Sequence, residues 1–245
     1  MSKFRNILIR KLCEAKNLKT SKLNLFSSSS VRMSEQKSSA NILEFLELVG
    51  SLKHIKRTGW VLRNVDNCES ISGHMYRMSM MTFLIDDSLK LDRLKCMQLA
   101  LVHDLAESIV GDITPFCGVS KEQKRNMEMK AMEDICKLIE PKGNQIMELF
   151  LEYEEGKSSE ANFVKDLDRL DMVLQAFEYE RRDNCISKHQ EFFDSTEGKF
   201  EHPFVKSIVQ EIYNQRNQSI SNLDKQVNGD SKNNFNLKND PTTSR

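Results

Sequence analysis

The 245-residue chain carries 36 Lys or Arg and 36 Asp or Glu, a formal net charge of zero, so nothing draws it as a whole toward a nucleic-acid polymer or an anionic membrane. Hydrophobic residues make up 39%, and no run approaches the roughly 18 apolar residues of a spanning helix, which excludes a transmembrane protein. Only 9 Gly and 4 Pro leave little material for the turns of a sandwich or barrel, and the composition predicts one mainly helical domain.

Residues 1–33 stand apart, with eight Lys or Arg and one acid, Glu14. A short basic, amphipathic stretch at 4–12 and the serines at 27–30 have the composition of a mitochondrial presequence; the plainer reading is an idle extension. Asn41 then reads as the N-cap of a helix carrying Ile42, Phe45, Leu46 and Val49, and a loop with Gly59, Trp60 and Asn64 leads to Ser70. A second helix places Ile71, His74, Met78, Met81 and Ile85 on one stripe, and a third runs from Asp92 through Leu101 to Gly111 and Pro115. Amphipathic segments follow at 120–139 and 144–155, separated by Pro141 and Gly143. A long helix from Glu160 aligns Phe163, Leu167, Leu170, Leu174 and Phe177, and a final helix follows Pro203. The domain is expected over 34–216, and the Asn-, Ser- and Lys-rich residues 217–245 read as a disordered tail. Six cysteines without a CxxC or regular spacing read as reduced thiols.

The third helix sets His103, Asp104 and Glu107 into an otherwise apolar run, where unpaired burial would be costly. Adjacent helical side chains project about 100° apart, so His103 and Asp104 could reach one ion, with Glu107 a turn further along the same side. His74 on the second helix and one Asp of the long helix, where Asp168 and Asp171 lie beside the apolar stripe, complete a candidate metal site between helices. A histidine on an apolar stripe is more often a hydrogen-bonded core residue, so spacing alone stops at a helical protein with a possible metal site.

The pattern His74, then His103-Asp104-Leu105-Ala106-Glu107 followed by Gly111-Asp112, then Asp168, resembles the H…HD…D signature of HD-domain metal-dependent phosphohydrolases. Further runs, Arg57 to Val65, Glu69 to Ser72, His74 to Met78, Ile109 to Ile113 and Glu191 to Phe200, are similar to the HD domain-containing protein 2 group, which is itself similar to bacterial 5′-deoxynucleotidases. The resemblance covers about residues 41–215.

It implies an all-α HD-domain helical bundle, usually homodimeric, with a divalent cation held by His74, His103, Asp104 and Asp168. By position it assigns a second cation to Glu107, Asp112 and the backbone carbonyl of Ile113. It implies hydrolysis of deoxyribonucleoside 5′-monophosphates to deoxynucleoside and phosphate, with Arg57 and Trp60 in the substrate-binding loop. Arg57 would neutralise phosphate charge and Trp60 would pack on base or sugar, their plain readings being a surface charge and a filled core edge. Glu107 would orient the water, take its proton or bind the second cation. A mixed His/Asp set suits Mn, Co, Fe, Ni or Zn, and an all-oxygen site suits Mg or Mn. The group's acidic residue before the first ligand histidine is here Gly73.

Two alternatives stand beside this reading. One is another HD chemistry, on nucleoside triphosphates or cyclic nucleotides, although 24 basic against 32 acidic residues over 34–216 do not suggest a polyphosphate funnel. The other is a non-catalytic, metal-stabilised interaction module. The expected compartment is the cytoplasm, with the mitochondrial matrix as the alternative if residues 1–33 are a presequence.

Overall fold

A computed structural model of the chain describes the backbone of residues 29–236 and the side chains of residues 38–221. Most of the 1–33 segment, including the basic stretch at 4–12, lies outside the described residues. The chain divides into a unit ending at Ala40 and a unit from Asn41 onward.

Among the described residues there are helices and no strand, only an isolated antiparallel bridge between Lys56 and Ser70. The helices are α1 (Ser29–Ser51), α2 (Thr58–Val61), α3 (Ile71–Met81), α4 (Arg93–Val102), α5 (Glu107–Val110), α6 (Lys121–Leu138), α7 (Gly143–Glu155), α8 (Ser159–Arg182), α9 (Gln190–Thr196) and α10 (Pro203–Asn236). No helix among them is long and apolar enough to cross a membrane.

Local chemistry sets most starts. Ser70 caps α3 by accepting from Gly73 N, Asp92 caps α4 by accepting from Lys95 N, and Ser158 caps α8 by accepting from Ala161 N. Ser120 and Gln123 close a reciprocal capping box on α6. Gly143 opens α7 where a Cβ would lie 2.1 Å from the Cys136 carbonyl oxygen, so only glycine lets the chain turn back so closely on α6.

Five expectations change. Helix α1 begins at Ser29, so Asn41 lies inside it and is not its N-cap. Trp60 sits in a one-turn helix, not a loop. The stripe on α3 ends at Met81, and Ile85 follows a 3₁₀ turn in extended backbone. The third helix does not run to Gly111: α4 stops at Val102, residues 103–106 form tight turns, and α5 restarts at Glu107. At the far end α10 continues past residue 217 to Asn236, and residues 237–245 lie outside the described ones.

Helix α3 packs on α4 and α8, α4 also packs on α7 and α8, and α10 packs on α8. Two apolar clusters result. One gathers Met78, Cys96, Leu99, Phe163, Leu167 and Leu170; the other gathers Leu52, Ile71, Met75, Met132, Ile135 and Phe150. Helix α3 contributes to both, and His74, fully buried, occupies the seam between Ile71 and Met78. Truncating a fully buried Leu such as Leu99 to Ala in this packing costs about 2–5 kcal/mol.

Candidate metal centre

His74 reaches α8 across the seam. Its Nδ1–H donates to Asp171 Oδ2 at 2.7 Å, because a carboxylate can only accept, and Asp171 accepts in turn from Arg77 Nε. Arg77 is itself tied to α8 through Gln175 and Glu178, both at 2.7 Å. His103 caps the end of α4, and its Nδ1–H donates to the Ala100 carbonyl at 3.0 Å. Each imidazole is thus fixed in one tautomer with its other nitrogen bare, and both Nε2 atoms are buried without a hydrogen-bond partner.

The two bare nitrogens face carboxylates. Asp168 Oδ1 lies 3.2 Å from His74 Nε2, and Asp104 Oδ2 lies 3.2 Å from His103 Nε2 and 3.8 Å from His74 Nε2. One donor atom each from His74, His103 and Asp168 falls within 4.8 Å of the others, a spread that a single ion can bridge. Orphaned imidazole nitrogens converging with carboxylates are a donor set that fits a borderline divalent cation. Glu69, His74 and Asp171 also cluster, but there Nδ1 already donates to Asp171 and Glu69 accepts from Trp60, so that group is a hydrogen-bond network.

The electrostatics agree. Burial and the Arg57 charge oppose a charged His74, yet Asp168 and Asp171 raise its pKa to about 9, as carboxylates placed to favour positive charge at this point would. Burial likewise opposes ionised Asp104 and Asp168, and the imidazoles and Arg57 outweigh it, holding both carboxyls below the usual range. Tyr153 donates to Asp168 Oδ2 at 3.3 Å and packs its ring on His103.

Arg57 stands over the cluster, with Nη1 3.0 Å from Asp104 Oδ2 and Nη2 3.9 Å from Asp168 Oδ1. Its backbone is pinned from the other side of the centre: Thr58 N donates to Asp112 Oδ2 at 2.6 Å and Thr58 Oγ1 donates to the Asp112 carbonyl at 2.8 Å. Gly111, at φ +74°, ends α5 and turns the chain so that Asp112 and Ile113 return toward Thr58. Glu107 is 2% exposed and its Oε2 has no partner. Burial, reinforced by Asp104 and Asp112, raises its carboxyl well above the usual range, so it sits there as an acid or beside a cation.

Two cavities without a common lining residue adjoin the centre. The first, about 370 Å³, is walled by Arg57, Trp60, Arg63, Phe116, Met172 and Phe192, with Asp112 and Thr114 at its polar edge. Arg63 is held there by a two-pronged pair to Glu191 and lies over the Phe116 and Phe192 rings. Trp60 is 2% exposed, gives its N–H to Glu69 and packs on Phe192 at 4.2 Å, so it backs this wall from within the core. The second cavity, about 410 Å³, is lined by His103, Asp104, Asp168 and Tyr153 together with Lys121, Lys124, Arg125, Glu128 and Glu154.

The predicted residues therefore come together: His74, His103, Asp104 and Asp168 around one point, Glu107 buried nearby, Arg57 above it and Asp112 beneath Arg57's loop. Sequence reasoning named Asp171 only as a neighbour of the stripe and missed its support of His74. It passed over Arg77, Tyr153, Lys124 and the Arg63–Glu191 pair, whose members lie 128 residues apart and carry no local signal.

A family model described as HD domain matches residues 49–208. The 5′-deoxynucleotidase HDDC2 of Mus musculus is 50% identical over 186 residues, covering 75% of this chain and 92% of that protein. Its Homo sapiens counterpart is 47% identical over 182 residues, covering 74% and 89%. Among solved structures, a conserved hypothetical protein from Pyrococcus furiosus matches with TM-score 0.59 and 32% identity, covering 70% of this chain and 99% of its own.

Proposed function

The chain belongs to the HD domain family, and on that premise we infer that it is a 5′-deoxynucleotidase, a phosphoric monoester hydrolase that converts deoxyribonucleoside 5′-monophosphates to deoxynucleoside and phosphate. The observation that carries the reading on this chain's own side is the convergence of the orphaned His74 and His103 Nε2 atoms with Asp104 and Asp168, beneath Arg57.

His74, His103, Asp104 and Asp168 would hold a divalent cation of the Mn, Co, Fe, Ni or Zn type, and Glu107, Asp112 and the Ile113 carbonyl a second, oxygen-ligated one such as Mg or Mn. When bound, such ions polarise the phosphate oxygens and lower the pKa of water toward about 7. The protein's own side chains do the rest. Arg57 offers the phosphate a planar fork of donors while its loop stays tied to Asp112. Glu107, buried and raised in pKa, would orient the attacking water, take its proton or serve the second cation. The aromatic cavity takes sugar and base, with Phe116 and Phe192 as walls and Trp60 behind them. Of its two cations, Arg63 is taken by Glu191 and Arg57 alone turns toward the metal centre, which suits one phosphate and not three.

We assign a homodimer to the enzyme, with a surface on α3, the 3₁₀ turn after it and α4: Tyr76, Met80, Phe83, Leu94 and Leu101 are exposed, and Tyr76 and Leu101 border an apolar groove with Leu46 of α1. We place it in the cytoplasm, the basic segment 1–33 leaving the mitochondrial matrix as the alternative. Fusing residues 1–40 to a fluorescent reporter separates the two, since import with trimming moves the enzyme to the organelle.

The deciding assay is release of phosphate from dAMP, dCMP and dTMP with added Co or Mn, against AMP, a nucleoside triphosphate and a cyclic nucleotide. Turnover of the three deoxynucleotides above AMP is the expected result. No phosphate from any monophosphate overturns the reading.

A further inference from the structure

In-line hydrolysis of a phosphate monoester has two ends. A bond from water to phosphorus forms as the bond to O5′ breaks, O5′ takes a proton, and the phosphoryl group leaves as inorganic phosphate. The aromatic cavity beside Arg57 matches the nucleoside end. The second cavity matches the other: it opens on His103, Asp104 and Asp168, has no large apolar wall besides Tyr153, and carries Lys121, Lys124 and Arg125 against Glu128 and Glu154 on its rim.

Those cations break a local rule. Lys121 and Lys124 occupy the first turn of α6 and Arg125 follows, where positive charge opposes the helix dipole. Lys121 and Arg125 are exposed and form no ion pair among the described residues. Lys124 lies deeper; it pairs with Glu128 at 3.3 Å on its own helix and feels the Glu107 and Asp104 charges. With Lys124 answered by Glu128, and Lys121 and Arg125 against Glu154, the rim keeps one more cation than acids, a placement at a helix start that is costly for folding and useful for an anion.

We propose that this cavity is the phosphate-release site of the enzyme, in which Lys124 binds inorganic phosphate as it leaves the metal centre while Lys121 and Arg125 draw it outward. The inference rests on the phosphatase reading above and goes beyond it by giving the two products separate exits. Nothing in it requires Lys124 to touch the nucleoside.

The test is calorimetric titration of the Mn-loaded full-length protein with inorganic phosphate and, separately, with deoxyadenosine. Lys124→Gln should weaken phosphate binding about tenfold, the worth of one charge-assisted hydrogen bond, with metal content and deoxyadenosine affinity unchanged. Lys124→Arg should restore most of the loss. Lys121→Gln with Arg125→Gln should cost about twofold to threefold and flatten the salt dependence of phosphate binding. Unchanged phosphate affinity in Lys124→Gln, an equal loss for deoxyadenosine, or loss of metal would each overturn the proposal. If wild-type protein releases no phosphate from dAMP, the phosphatase reading fails instead, and the two failures are separable.

Discussion

The two histidines of the centre are held in different ways. His74 lies in the middle of a regular helix and is fixed by side chains, the Asp171 carboxylate and behind it Arg77, all clasped to α8. His103 stands where a helix gives out, and it is fixed by its own backbone through the Ala100 carbonyl. The turns after it, closed by Leu105 N to the Val102 carbonyl and Glu107 N to the Asp104 carbonyl, swing Asp104 and Glu107 inward in a way a continuous helix would not. One half of the centre is therefore built by tertiary packing and the other by local backbone, and substitutions should affect them unequally.

The harshest way to break the pair is to remove a ligand. His103→Ala or Asp104→Ala should abolish both bound metal and phosphatase activity, because no neighbouring donor can replace the lost one; metal analysis of the purified variants checks it. Full metal occupancy in His103→Ala would remove the backbone-built half from the centre. Glu107→Ala should keep the metal held by His74, His103, Asp104 and Asp168 and lower kcat by about 10²–10⁴-fold, the usual worth of a positioned acid or base. Unaltered kcat would take Glu107 out of the mechanism.

Asp171→Asn separates the halves more finely. The amide oxygen can still accept from His74 Nδ1–H, so the ring keeps its orientation, but the charge that makes Nε2 a stronger donor is gone and Arg77 loses its buried partner. Metal affinity should fall by roughly 10–100-fold, with saturating metal restoring most of the activity. No single side-chain change can do the same to His103, whose support is a main-chain carbonyl. Titration of the variant with Mn, followed by phosphate release, measures the effect, and an affinity equal to wild type would show that His74 needs no carboxylate behind it.

How much of this was legible in the sequence follows the same division. Helix periodicity located α3, α6, α7 and α8 because that signal is local, and the caps that fix three of their starts are local too: Ser70, Ser120 and Ser158 accept from backbone N–H groups three residues away. The ligand set was legible through the spacing of His74, His103-Asp104 and Asp168 and the resemblance it carries. The break after Val102 was not, since Leu105 and Ala106 favour helix on their own, and both are buried where packing against α6 decides the path. The supports were not legible either: Asp171 to His74 spans 97 residues and Tyr153 reaches Asp168 from another helix. Trp60 could not be placed by type, because a lone Trp fits a base-stacking wall and a core edge equally well, and here it backs the one from the other.

Gly73 supplies the gentlest test. Relatives of the resembling group carry an acid before the ligand histidine, which invites the idea that this chain lacks something at its centre. Yet Gly73 is exposed while His74 beside it is fully buried, and its N–H donates to Ser70 Oγ as the third residue of α3. A glutamate there would complete a reciprocal cap with the Ser70 N–H, oppose the helix dipole favourably and remove a flexible glycine from a helix. A Cβ at this position meets only Ser70 Oγ at 3.4 Å, an ordinary contact, so nothing must move to admit it. Gly73→Glu should therefore stabilise the fold by about 1 kcal/mol, raising Tm by about 2–4 °C, and leave metal affinity as it was. Thermal unfolding and Mn titration of the same sample read both quantities. A change in metal affinity would mean that the start of α3 positions His74, whereas stability gained alone means that α8 does.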